Sequence, residues 1–280
     1  MSRAVGLDHV GVVGHDLVAL AAQYERVGFT LTPRAPAGGG RIANHCAMLR
    51  QGYLELMALA PGGSSATLTR MLARHAGAHV IALAVEDTAA AIARLRLAGI
   101  VCPGVDRPGV DCPGVEQSER AIDADDPSGP HARFAHLLVP EQPEARVNLI
   151  QHLTPEALWQ ERFLTHPNRA VALEEVVLAV PSPADSAARF SRLAGRPVVP
   201  DRTGGFALLL PRGCIRLLSP DAVETVPPSV PSIVGITLRT DDARAAITRR
   251  LTDAAVPHDL ADGTVTTRPG SSGGVALCFT

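Results

Sequence analysis

The chain opens on a run of strand length. Residues 7–13 are mostly apolar, interrupted by Asp8 and His9, and a helix signal follows at once. Asp16 is a residue type that accepts the first orphan N–H groups of a helix, and Leu17, Leu20, Ala21 and Val27 then recur at helical spacing until Gly28 stops the run. Three strand-like stretches come next: residues 29–32, residues 43–49 and, after a tight turn at Arg50, Gln51 and Gly52, residues 53–58. The pattern is a unit of strand, helix and three strands.

That unit recurs. Residues 79–85 read as a strand, a helix starts at Asp87 and Thr88 and runs through Ile92 and Leu95 to Gly99, and residues 134–139 and 147–151 form a hairpin pair. A third copy has a strand at 175–180, a helix at 184–193 stopped by Gly195, and strands at 206–210 and 214–218. A fourth begins at Ile233, with a helix over 242–255 and a hairpin of 264–267 with 275–279. Four copies of a unit too small to close a core alone predict pairing into larger domains. The expected division is a first domain over 1–152, a connector over 153–172 with a short helix near 155–163, and a second domain over 173–280. Residues 101–132, rich in proline and glycine, read as a long surface loop, with a lid over a cleft and a disordered insertion both left open.

Charge narrows the partners. The 26 basic and 28 acidic side chains are interspersed and leave a formal net charge of −2, so no basic footprint is present for nucleic acid or an anionic membrane surface. No apolar run approaches the roughly 20 residues of a membrane-spanning helix, and the start lacks a signal-peptide pattern, so a cytoplasmic location is expected. The five cysteines show no paired C-x-x-C spacing and read as reduced thiols. Every basic residue is arginine, which excludes lysine Schiff-base chemistry and a phosphate loop ending in Gly-Lys-Ser/Thr.

The segment L-D-H-V-G-V-V-G-H-D over 7–16, G-Y-L-E-L-M over 52–57, L-I-Q-H-L-T-P over 149–155 and H-P-N over 166–168 resemble the glyoxalase-like domain proteins of the vicinal oxygen chelate superfamily, which also contains bleomycin-resistance proteins and extradiol dioxygenases. The resemblance implies an α+β fold of four βαβββ modules paired into two curved mixed sheets with helices outside. It also implies a divalent metal, Zn, Mn, Ni or Fe, on a concave sheet face, with ligands from the first and last strands of each module. Those positions are His9 and Glu55 in the first module. In the second they become Val80 and Asn148, and His79, one residue out of phase, needs a β-bulge to face the same way. In the third they are Glu175 and Arg216, expected to form a salt bridge, and in the fourth Val234 and Ala276. The second domain therefore reads as a decayed copy with a structural or homodimer-forming role.

Other residues share the expected concave face. Asn44, Tyr53 and Met57 flank Glu55, and His152 lies at the cleft's end, too far along its strand to share an ion with Glu55. His45 is expected to point toward the helices. His136 belongs to a hairpin strand of uncertain phase, and His166 with Asn168 reads most simply as loop capping. The leading functional expectation is a metal-dependent lyase or isomerase acting on a small oxygen-bearing substrate, with Glu55 also able to transfer the proton. A metal-free small-molecule binder of the bleomycin-resistance type and a ring-cleaving dioxygenase are the alternatives.

Overall fold

All eight residues of β1, Gly6–Val13, are buried, because one face packs on helices and the other lines a cleft. The computed structural model describes residues 2–102, 115–123, 125–224, 228–242, 244–261 and 263–280. Helix α1, Leu17–Val27, is capped by Asp16, whose carboxylate accepts from the N–H groups of Val18 and Ala19. It ends at Gly28, whose φ of 104° is a left-handed conformation that glycine adopts without steric cost. Strands β2 (Ala35–Ala37), β3 (Ile42–Met48) and β4 (Tyr53–Leu59), then helix α2 (Ala66–Arg74), complete the first module.

The second module contains β5 (Gly77–Ala84), α3 (Thr88–Leu97), β6 (Val115–Ala121), β7 (His131–Leu138) and β8 (Arg146–His152). The short helix α4, Pro155–Leu158, leads into the second half. There the modules are β9 (Ala170–Ala179), α5 (Pro183–Ala194), β10 (Val198–Pro200), β11 (Phe206–Leu209) and β12 (Cys214–Leu218), followed by β13 (Ser232–Thr240), α6 (Arg244–Asp253), β14 (His258–Ala261), β15 (Thr264–Thr267) and β16 (Ala276–Phe279). Strand β9 begins inside the stretch expected to be connector.

Each pair of modules makes one eight-stranded mixed sheet. The orders are β2-β3-β4-β1-β5-β8-β7-β6 and β10-β11-β12-β9-β13-β16-β15-β14, the same order repeated. In each sheet the two modules meet at their first strands, which run antiparallel, β1 to β5 and β9 to β13. In the first sheet the edge strands β2 and β6 also come into contact, so the sheet curls into a nearly closed barrel. The faces turned away from the clefts feed one continuous core shared by both halves, with Val10, Leu54, Leu56 and Ile81 from the first sheet and Val176, Leu217, Ile236 and Leu277 from the second. Burying each such side chain contributes about 1.5–3 kcal/mol.

Two expectations are corrected here. Residues 29–32 are not a strand, because Thr30 gives its N–H to His166 and its hydroxyl to the Thr165 carbonyl, leaving β2 to form further on. The surface loop expected over 101–132 contains a true strand, β6. Residues 116–120 are all polar because one face of β6 lines the cleft, so no hydrophobic alternation marks it. The part of that expected lid over residues 103–114 lies outside the described residues.

Candidate functional site

The first sheet's cleft is organised by an irregularity in β1. Against β5, Leu7 pairs with Leu83 and His9 with Ala82, so Asp8 is an extra, bulged residue. A bulge lets successive side chains serve one face. The buried Asp8 carboxylate accepts from His9 Nδ1 at 2.8 Å and from His152 Nε2 at 3.1 Å. Burial alone would raise the Asp8 pKa, but the hydrogen bonds and charges of His152 and His9 outweigh it and hold the carboxyl at about 2. For His9, burial pulls the pKa down, and the Asp8 hydrogen bond with the charges of Asp8 and Glu55 carries it above its ordinary value of 6.5.

With Nδ1 committed to Asp8, the His9 ring presents Nε2 to Glu55, 3.7 Å from Oε2. The other Glu55 oxygen accepts from the Asn44 amide at 2.5 Å. Tyr53 stacks on His9 with ring centroids 4.5 Å apart, fixing the plane of the imidazole. Gly11 is the residue beside Glu55 in the β1–β4 register, and any Cβ there would strike Met57 and Val80, so only glycine allows those side chains to close this end of the cleft. Met57 and Val80 pack there with Val13 and Leu68 of α2.

Strand β6 faces this group from the opposite edge of the curled sheet. Arg120 reaches across to within 4.0 Å of Cys46 Sγ on β3. Burial disfavours its charge, but the proximity of Cys46, Glu55 and Tyr53 more than restores it. Between the two edges lies a cavity of about 900 Å³ lined by His9, Tyr53, Glu55, Arg120, His136 and Asn148, among others. Its volume suits a small organic molecule. His136 pairs with Glu116 at 3.2 Å, and its pKa is nevertheless lowered because burial outweighs that partner.

The sequence-predicted residues divide between wall and support. His9, Tyr53, Glu55 and Asn148 line the cavity. Asn44 is fully buried behind Glu55, Met57 belongs to the apolar plug, and His152 sits under Asp8 against Trp159, with ring centroids 4.9 Å apart. The bulge that His79 required is present, since β5 skips a residue between Val80 and Ala78, yet His79 Nε2 is spent on the His75 carbonyl beside α2. His166 and Asn168 cap the connector: His166 Nε2 donates to Met48 O, and Asn168 Oδ1 accepts from the Ala170 N–H. His45 donates to Thr32 O. Sequence reasoning passed over Asp8 and Arg120. An acid inside an apolar strand was the available signal for Asp8; Arg120 had none, because β6 carries no strand pattern.

In the second sheet Glu175, Cys214 and Arg216 occupy the register positions of His9, Tyr53 and Glu55. Arg216 is bound by Asp201 at 2.7 and 2.8 Å, by Thr203 at 2.8 Å and by Glu175 at 3.6 Å. Its charge is fully engaged within the protein.

Two eight-stranded mixed sheets of paired βαβββ modules, the first curled around a polar cleft, define the vicinal oxygen chelate class. Residues 7–194 match the glyoxalase-like domain family, and the chain belongs to that family. No curated protein matches the sequence significantly. Among solved structures, a hypothetical protein from Staphylococcus aureus is similar at 13% identity and a TM-score of 0.67, over 99% of this chain and 98% of that one. A mutant of 4-hydroxymandelate synthase from Streptomyces coelicolor is similar at 14% identity and a TM-score of 0.66, over 99% and 92%. The Mn(II)-bound glyoxalase from Novosphingobium aromaticivorans matches at 14% identity and a TM-score of 0.56, over 100% and 82%. At these identities the likeness concerns the fold. No helix among the described residues is long and apolar enough to cross a membrane.

A metal of the kind that the family resemblance implies meets an incomplete donor set. His9 and Glu55 are ligand types and stand side by side, but Val80 offers no donor, Asn148 offers only a neutral amide, and the Arg120 cation shares the cavity. Among the described residues no group of three His, Cys, Asp or Glu side chains is arranged to hold a metal ion. The residues present do not fit a protein-built metal cage.

Proposed function

We propose that this chain handles a small oxygen-bearing molecule in the first-domain cleft and recognises it by hydrogen bonds and charge, without a resident metal. The observation that carries this reading is the composition of the cleft: one imidazole and one carboxylate on β1 and β4, valine and asparagine at the matching second-module positions, and a guanidinium opposite. In this arrangement Glu55 is the group able to take or give a proton. Asn44 orients one of its oxygens and His9 faces the other, so the carboxylate has a fixed direction into the cavity. Binding alone, as in a sequestering protein, needs only this recognition; turnover additionally needs a substrate proton within reach of Glu55.

A second reading, a metal-dependent lyase or isomerase, draws support from one feature. Asp8 holds His9 by Nδ1 and leaves Nε2 beside Glu55, the manner in which a carboxylate orients a metal-binding histidine. The Mn(II)-bound glyoxalase among the fold neighbours lends it further weight. A ring-cleaving dioxygenase is less well supported, because a facial triad needs a second histidine beside His9 and Glu55. Melting temperatures of wild type and Glu55→Gln, each titrated with manganese, zinc and nickel, separate the two leading readings. Metal-free recognition predicts the same response from both proteins. A stabilisation of wild type by several degrees that vanishes in Glu55→Gln would favour the metal enzyme instead.

A further inference from the structure

We propose that the ligand of this cleft is a small organic monocarboxylate with an apolar body, its carboxylate held by Arg120 and Arg146. The proposal rests on the metal-independent reading above and names its ligand class. Each carboxylate around the cavity already has a partner: Asp8 has His9 and His152, Glu55 has His9 and Asn44, Glu116 has His136, and Glu119 has His131 and Arg133. Arg120 and Arg146 line the same cavity, are both partly buried, and form no ion pair with any described carboxylate. Arg120 has the Cys46 thiol at 4.0 Å and feels Glu55 and Tyr53 at longer range, and Arg146 acts electrostatically on His136.

No described carboxylate lies within ion-pair distance of either guanidinium, so the hydrogen-bonding fork of each is open to an incoming carboxylate, which matches it with two parallel hydrogen bonds. The side chain of Asn148, two residues from Arg146 on the same face of β8, makes no hydrogen bond among the described residues, and its Oδ1 is buried without a partner. It is placed to bind a hydroxyl or amine on the ligand. Phe134, Leu138, Ile150 and Leu158 supply apolar wall between these polar groups, which accounts for an apolar body. Glu55 and Glu116 in the same cavity repel a second negative charge, which favours a carboxylate over a phosphate dianion.

The test is calorimetric titration of the full chain with benzoate, phenylacetate and hexanoate, each beside its neutral amide, and with inorganic phosphate. Trp159, the single tryptophan, lies beside His152 and follows occupancy by fluorescence. At least one acid should bind at least tenfold more tightly than its amide and than phosphate. Arg120→Gln should remove that preference by weakening the acid tenfold or more and the amide much less, Arg120→Lys should restore part of it, and Arg216→Gln in the second domain should leave it intact. An unchanged urea midpoint shows that the Arg120→Gln chain is folded, and equal weakening of acid and amide in it refutes the charge pairing. Equal binding of acid and amide overturns the carboxylate assignment while small-molecule recognition stands, and phosphate binding as tight as the acids overturns the choice of anion. Acid binding indifferent to Arg120, or no acid binding at all, also refutes the proposal; the metal titration judges the broader reading separately.

Discussion

The two halves of the molecule repeat one strand order and one register, and they differ in what happens to an arginine. In the second sheet Arg216 stands at the position of Glu55 and is bound by Asp201, Thr203 and Glu175, so that cleft holds a closed set of internal pairs. In the first sheet the acids are tied to histidines and to Asn44, and Arg120 arrives from the edge strand without an ion pair to any carboxylate among the described residues. The difference is made by side chains and by curvature rather than by a change of fold, because the bulge at Asp8 has its counterpart at Glu174, which is spent on Arg239. Asp8, the inserted residue of β1, recruits both His9 and His152, and contact of β2 with β6 swings Arg120 over them. A duplicated scaffold can therefore keep one half as packing partner while the other half retains an unsatisfied polar cavity.

The sharpest way to break this comparison is to remove the acid at the centre of each half. Asp8→Ala leaves two buried imidazoles without their acceptor and should cost about 3 kcal/mol in urea unfolding. Asp201→Ala leaves Arg216 with Glu175 still near and with access to water, and should cost only about 1 kcal/mol. Equal losses would mean that the two clusters are energetically alike. Acid sharpens the same point. Because Asp8 is held at about 2 against an ordinary 3.8, its contribution is fully present above the unfolded value and is lost as the pH falls from about 4 to 2. That loss is about 2 kcal/mol, and Asp8→Asn should not show it.

A smaller effect belongs to the seam between the halves. His75, at the end of α2, lies 3.4 Å from Ser229, and its pKa is lowered to about 4 by burial and by the nearby His79 and Arg74. The unfolded chain binds this proton near pH 6.5 and the folded chain does not, so stability is greatest above 6.5 and declines as the pH falls toward 4. After allowance for partial solvent exposure the decline should be about 1 kcal/mol, read from unfolding midpoints, and His75→Asn should flatten it. An unchanged slope in that variant would place the acid sensitivity elsewhere.

How much of this was legible in the sequence depends on the kind of signal each feature leaves. The four modules were readable because apolar periodicity, Asp16 and Gly28 are local signals that tertiary packing did not override. His9 and Glu55 were readable through the family resemblance, which points to the first and last strands of a module, and Asn44 followed from sharing the expected face of Glu55. Asp8 was hidden by the assumption of strict alternation, which a bulge suspends. Arg120 was hidden more deeply, since a strand with polar residues toward both cleft and solvent looks like a loop. The seam histidines His75 and His79 were likewise invisible, because their proximity depends on the turn out of α2.

The most direct test of the central claim is elemental analysis of the chain purified without chelator and without a nickel affinity step. Recognition by charge and hydrogen bonds predicts manganese, zinc, nickel and iron all well below one ion per chain, with the same content in Glu55→Gln. One bound ion per chain in the wild type, lost in Glu55→Gln, would contradict the account.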